Sequence, residues 1–297
     1  MDSEALATFV AVHRAGGVSN AVEHLNRSQP AISRRIALLE EKLGAPLFER
    51  VSAGFALSQA GEALLPYAER VLAALQDAAA AMEELRAGVA GSVSVAVVGT
   101  LANAKLTATL KGFAEAHPKV AVALRTATSA EVSEYVRRGE AIIGLRYFED
   151  ASPDIICRTL TPEKLVVACS SGHRLAGGKV RSLRSLKSEH WLAFPERRSK
   201  QEASAANIAA QFLIHNVADI NCMPVDSLTA QKRLIEAGFG IALLPESSIT
   251  EELARKSIAT IEVVDLQVAN PVSVIVRSGG YLSAASRALL ETLASKF

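Results

Sequence analysis

Cysteine is scarce in this chain, with three among 297 residues, at Cys157, Cys169 and Cys222. An odd number at these spacings makes neither a disulfide framework nor a zinc site, and small buried hydrophobes are their plain reading. No run approaches the roughly 18–20 apolar residues of a membrane span. The N-terminal MDSEALATF places acids before its first apolar residues and lacks a basic stretch, unlike a secretory signal. A cytoplasmic protein with no membrane partner is therefore expected. Excess charge of one sign is also missing: 32 Lys and Arg stand against 31 Asp and Glu. Catalytic patterns are absent too. There is no GxGxxG, no Walker sequence and no HExxH, and the six histidines are scattered. Ser170-Ser171-Gly172-His173 has suggestive letters, but adjacency in sequence does not make a nucleophile and base. Neither an enzyme nor a bound metal or cofactor is expected.

What the chain does have is the segment Asn26–Gly44, NRSQPAISRRIALLEEKLG. Ser28 stands where an N-cap belongs, and Pro30 falls in the first helical turn, where a missing N–H costs little. Ile32, Ile36, Leu39 and Leu43 recur at helical spacing and predict one buried stripe. Pro30, Ser33, Arg34 and Ala37 lie broadly opposite it. Before this helix, residues 2–15 place Leu6, Phe9 and Val10 on one face, and Gly16-Gly17 stops the helix. Residues 18–25 predict a short second helix burying Ala21, Val22 and Leu25, and Asn26-Arg27-Ser28 supplies a turn. Two short helices joined this way, the second basic on its outer face, form a helix-turn-helix. Phe48–Arg50 and Phe55–Leu57 flank a turn at Ser52-Ala53-Gly54, as in a two-stranded wing.

These residues resemble the DNA-binding half of LysR-type transcriptional regulators. The likeness runs through Leu6-x-x-Phe9, Gly16-Gly17-Val18-Ser19, Asn26 to Ser33, Leu38-Leu39-Glu40-x-x-Leu43-Gly44, Pro46-Leu47-Phe48-x-Arg50 and Leu57-Ser58-x-Ala60-Gly61. Two departures stand out. Gly17 replaces the usual serine, a loss of only a few tenths of a kcal/mol as a cap. Ala21-Val22 replaces an alanine pair and adds bulk at a close helix crossing. The resemblance implies that Gln29, Pro30, Ser33 and Arg34 face base edges, that Ser28, Arg35 and Arg50 hold phosphates, and that Arg27 of the turn is a further DNA-binding residue. Within residues 1–58 bases and acids are equal in number, so a single copy is expected to bind double-stranded DNA weakly and to need a twin.

Residues 59–87 predict one long helix whose Leu64, Tyr67, Val71, Leu75, Ala78, Met82 and Leu85 step by three or four. So long an apolar stripe asks for a partner helix from a second protomer. In the resembled family this is the linker helix, and such chains assemble as dimers or tetramers and, when they activate, meet RNA polymerase. Pro66 lies inside it and should bend it mildly. Gly88-Val89-Ala90-Gly91 reads as a hinge.

From residue 92 the pattern alternates between strand and helix, which predicts parallel α/β sheets. The expected architecture is α/β throughout. A winged helix-turn-helix at 1–58 and a linker helix precede an effector domain at 92–297. The family likeness implies that this domain is two-lobed and resembles periplasmic binding proteins. Lobe I covers about 92–160 and 268–297, lobe II about 161–267, with crossovers near 157–164 and 264–270. Ligands of such sheets sit at the carboxyl ends of strands, where helices begin. Thr100 with Leu101, Thr128 with Ser129, Phe194-Pro195 and Asp226 occupy those ends, and Thr128-x-x-Glu131 is a capping box. Arg146 follows the third strand and could pair with an effector carboxylate; the family's acidic residue in that strand is Ile142 here. Arg197, Arg198 and Lys200 form a basic loop beside Phe194-Pro195. The expected function is a regulator that binds pseudo-palindromic DNA and senses a small molecule, an organic acid by this reading. A cysteine-based redox regulator and a solute-binding protein are the alternatives.

Overall fold

The structure, a computed structural model, describes residues 2–51, 54–87, 91–195, 210–211, 214, 220–266 and 268–297. Its contacts divide the chain into two units, Met1–Leu85 with Arg137–Glu140, and Arg86–Val136 with Ala141–Phe297. The hinge expected at 88–91 falls largely outside the described residues, as do most of a helix expected near 202–215 and the basic loop of Arg197, Arg198 and Lys200.

The first unit opens with α1, Ser3–Arg14, whose N-cap Asp2 accepts a hydrogen bond from Ala5 N at 2.7 Å. That bond holds the Asp2 carboxyl below its ordinary pKa. Helix α2, Val18–Leu25, ends at Asn26 in a left-handed conformation with φ of 50°. Helix α3, Gln29–Leu43, ends at Gly44 with φ of 71°, a conformation that costs glycine little. Phe9, Ala21, Ile32, Ile36, Leu39 and Leu47 close one core among these helices. Leu43, the last residue of the helix before the Gly44 turn, does not join it and is 41% exposed. The expected stripe is one residue shorter.

Strands β1, Phe48–Val51, and β2, Gly54–Leu57, pair antiparallel as the wing, with the Phe48 and Phe55 rings stacked 4.6 Å apart. Helix α4, Gln59–Ala87, contains Pro66 and runs about 43 Å at 1.5 Å per residue. It packs closely at its start, where a Cβ on Gly61 would lie 2.1 Å from the Leu47 carbonyl oxygen. Further along, Tyr67, Val71, Leu75, Met82 and Leu85 are exposed, between 43% and 79%.

In the second unit, β3 (Gly91–Val98) lies between β4 (Val120–Ala127) and β5 (Ile143–Tyr147), all parallel. Helices α5, Ala104–Ala116, and α6, Ser129–Arg137, follow β3 and β4. The rest of the sheet is mixed rather than parallel. The long β6, Ile155–Ser170, pairs antiparallel with β12, Ala269–Arg277, and then with β10, Ala242–Pro245, and β11, Ile258–Val263. One 16-residue strand, about 53 Å long, therefore serves both lobes. The crossover expected at 157–164 is part of it, paired to β12 from Ile155 to Lys164. Pairing to a distant partner, which local pattern does not reveal, makes it a strand.

The remaining strands are short: β7 (Lys179–Val180) beside β11, and β8 (Trp191–Ala193) parallel to β9 (Cys222–Pro224). Helix α7 spans Leu228–Glu236, α8 Thr250–Ala254 and α9 Ala284–Lys296. One core gathers Val95, Val97, Ile143, Leu145, Ile275 and Leu289 in lobe I. Two further cores, one around Trp191 and Val167 and one around Leu192 and Leu244, line lobe II. Among the described residues no helix is long and apolar enough to cross a membrane.

Candidate functional site

In the first unit, α3 turns its apolar stripe inward and leaves Gln29, Pro30, Ser33 and Arg34 exposed. At about 100° per residue, Pro30 and Arg34 fall opposite Ile32 and Ile36, and Ser33 lies on one flank of the stripe. Arg35 lies on the other flank, half-buried, and its Nη1 reaches Glu4 Oε1 of α1 at 2.6 Å. Arg27 of the turn pairs with the same oxygen. The two guanidinium groups hold the Glu4 carboxyl below its ordinary pKa, the Arg35 hydrogen bond first. Arg50 pairs with Phe55 in the wing, and its side chain lies outside what the structure describes.

Ser28 departs from expectation. Its backbone is extended, as an N-cap requires, but its side chain makes no cap hydrogen bond. An N-cap oxygen seeks the N–H of the second or third helical residue, and the second here is Pro30, which has none. The exposed hydroxyl stays uncommitted.

In the second unit, the strand ends of both lobes surround a cavity of about 690 Å³. Thr100 and Tyr147 line it from lobe I, with Thr126, Thr128 and Glu131. Phe194, Pro195, Asp226, Thr229 and Lys232 line it from lobe II. The sequence-based choices Thr100, Thr128, Phe194, Pro195 and Asp226 are thus brought together. Three others are not. Leu101 is fully buried in the lobe I core and touches a separate hollow of about 350 Å³. Ser129 is buried, and its hydroxyl accepts from Tyr147 N at 3.4 Å. Arg146 is buried with its Nη1 2.9 Å from Ser133 Oγ and 2.8 Å from Asp150 Oδ2. Successive strand residues point to opposite faces, so Arg146 turns to α6 while its neighbour Tyr147 faces the cavity.

Tyr147 and Lys232 were missed. Tyr147 was hidden by the charge beside it, and strand alternation was the signal available. Lys232 lies one turn inside α7, where its ammonium meets Glu252 Oε1 at 2.7 Å and donates to the Ser248 carbonyl at 3.2 Å. Burial, and next the Glu163 carboxylate, raise the Tyr147 pKa well above its ordinary value. On the same wall the expected capping box is formed. Thr128 N donates to Glu131 Oε2 at 2.9 Å, and Glu131 N donates to Thr128 Oγ1 at 3.3 Å.

The cysteines have no common site. Cys157 and Cys169 stand twelve residues apart on β6, about 40 Å, against the roughly 7 Å limit between Cα atoms for a disulfide. Between β6 and β9, which carries Cys222, stand β10 and β8, placing those cysteines about 14 Å apart. Burial, with Glu189 second, pushes the Cys169 thiol up to about 11.

Comparison with known proteins agrees with this geometry at both ends. Residues 3–62 match the family model for bacterial regulatory helix-turn-helix proteins of the lysR family, and residues 86–297 match the LysR substrate binding domain. The regulator TfdS of Cupriavidus pinatubonensis is 29% identical over 273 residues, 92% of this chain and 91% of its own. The regulator CitR of Bacillus subtilis is 25% identical, covering 90% of each chain. Among solved structures, CbnR, a LysR family transcriptional regulator, is 26% identical over 100% of this chain and 99% of its own, with a TM-score of 0.66. Full-length CbnR in complex with its target DNA gives 0.65 at 26% identity, covering 100% of both chains.

Proposed function

The chain belongs to the LysR family of bacterial transcriptional regulators, and from that premise we propose that it binds a two-part operator in answer to a small organic acid. The observation that carries the DNA half is α3, which buries its apolar stripe and leaves Gln29, Pro30, Ser33 and Arg34 exposed, Pro30 and Arg34 on the face opposite it. In this reading those four residues meet base edges in the major groove, and Ser28, with its hydroxyl uncommitted, takes a phosphate. Arg27 and Arg35 reach phosphates only by leaving Glu4. Arg50 of the wing completes the contacts. Likeness to CbnR, solved on its target DNA, supports the same assignment.

The apolar row Tyr67, Val71, Leu75, Met82 and Leu85 supports pairing of α4 with a second copy, giving dimers and, in pairs, tetramers. Two recognition helices then address half-sites about 34 Å apart or a multiple of it. The effector occupies the cavity lined by Thr100, Thr128, Phe194, Pro195 and Asp226, and its carboxylate is met by Lys232 in place of Arg146. Occupancy favours one lobe arrangement, which biases how the DNA-binding pairs are set. An activator of this kind would contact RNA polymerase. The protein works in the cytoplasm and performs no catalysis.

Selection of duplex DNA from a random pool by the full chain tests the proposal. The expected result is a two-part motif whose recovery changes when a bound acid is present. Recovery no better than for unselected DNA would contradict it.

A further inference from the structure

Two threonines on the lobe I wall of the cavity have already committed their only hydroxyl protons. A threonine hydroxyl brings one donor and two acceptor lone pairs, and a tyrosine hydroxyl likewise has one proton. Thr128 Oγ1 donates to Glu131 Oε2 at 2.8 Å. Thr100 Oγ1 lies 2.9 Å from the Tyr147 hydroxyl, which donates to Glu163 Oε2 at 2.6 Å. Because Tyr147 has given its proton to Glu163, it can only accept from Thr100. Protons therefore point from Thr100 to Tyr147 and on to Glu163. The other oxygen of Glu163 takes the hydroxyl proton of Ser247, and Ser247 Oγ accepts from Asn103 Nδ2 at 2.7 Å. Donors from both lobes thus converge on one carboxylate and hold the direction of the chain. Thr126, exposed on the same wall, makes no such carboxylate bond among the described residues.

What the Thr100 and Thr128 side chains still offer the cavity is lone pairs. A ligand carboxylate set against these two hydroxyls would put acceptor against acceptor. The ammonium of Lys232 differs: it carries three N–H donors, and Glu252 and Ser248 engage two.

We infer that the ligand is a hydroxy or amino acid, its carboxylate at Lys232 and an O–H or N–H donor at Thr100 and Thr128. This rests on the proposal that the cavity holds an organic acid and specifies the acid's second group. The position of Tyr147 makes it a specificity-determining residue without requiring that it touch the ligand.

Calorimetric titration of the full chain with matched acids tests this, using lactate against propionate, 3-hydroxybutyrate against butyrate, and 4-hydroxybenzoate against benzoate. Where a pair binds, the hydroxylated member should bind about tenfold more tightly, the worth of one well-made hydrogen bond. Thr100→Val should remove most of that advantage, read as the ratio of the two affinities within each pair. Tyr147→Phe frees the Thr100 proton toward the cavity, so pyruvate, whose keto oxygen can only accept, should gain on lactate relative to the wild-type chain. Parent acids that bind as well as their partners would overturn the inference and leave the acid proposal standing. Failure of every acid to bind would overturn both. Should the variants not fold, neutron diffraction from the deuterated wild-type chain reads the same point. A deuteron on the line from Thr100 to Tyr147 supports the inference, and a Thr100 deuteron aimed into the cavity overturns it.

Discussion

Ser28 and Thr100 are hydroxyls at the beginnings of helical turns, one in each unit, and they end in opposite states. Pro30 takes away one of the two N–H groups that Ser28 could cap, and the Ser28 hydroxyl is exposed and makes no cap bond among the described residues. Thr100 is buried and bonded to Tyr147. The arginines repeat the contrast. Arg34 projects from α3 exposed, whereas Arg146 is enclosed with Asp150 and Ser133. The first unit leaves Ser28, Ser33 and Arg34 exposed around the start of α3, while Arg27 and Arg35 beside them are paired with Glu4. The second pairs its polar groups in advance, so a small ligand must match a pattern already set.

The contrast can be broken from the committed side first. Asp150→Ala leaves the Arg146 charge buried without its carboxylate, both side chains being 8% exposed. Removing one partner of a buried pair costs about 3–5 kcal/mol, and urea unfolding should show a loss of that order. A loss below 1 kcal/mol would mean that the pair is solvated.

Tyr147→Phe should cost less, about 1–3 kcal/mol, by stranding the Thr100 donor and one Glu163 oxygen. Its pH dependence has a defined sign. The folded-state pKa of Tyr147 is raised, so its contribution is whole below the ordinary tyrosine value near 10 and is lost as pH climbs through the raised one. The stability gap between wild type and Tyr147→Phe should therefore narrow above about pH 10. A constant gap across that range would sink this assignment.

How much of this was legible in the sequence differs between the units for the same physical reason. In the first, local signals decide: Gly16-Gly17, Pro30 and Gly44 mark helix ends, and the stripe through Ile32, Ile36 and Leu39 marks the inner face. The errors were small ones, Leu43 exposed at the last turn and Ser28 without its cap bond beside Pro30. In the second, the strand ends could be found, and Thr128 with Glu131 formed the box their spacing announced. What local pattern could not reveal came from distant pairing. Strand β6 owes its length to partners about a hundred residues away, and the Tyr147 hydroxyl owes its role to Glu163 across the ribbon. Arg146 attracted attention as a charge, yet strand parity gave the cavity to Tyr147.

The sharpest test sets two neighbours on α3 against each other. Arg34→Ala and Arg35→Ala remove the same charge from adjacent positions, one exposed and outward, one already bound to Glu4. Fluorescence-anisotropy titrations of the selected operator, run over a series of salt concentrations, would compare them directly. A base-edge arginine is worth about 1–3 kcal/mol, so Arg34→Ala should weaken binding by about tenfold or more and erode preference over random DNA. Arg35→Ala should weaken it less than about threefold, since phosphate only replaces Glu4. Equal losses, or the larger loss at Arg35, would contradict the assignment of the outer face of α3 to DNA.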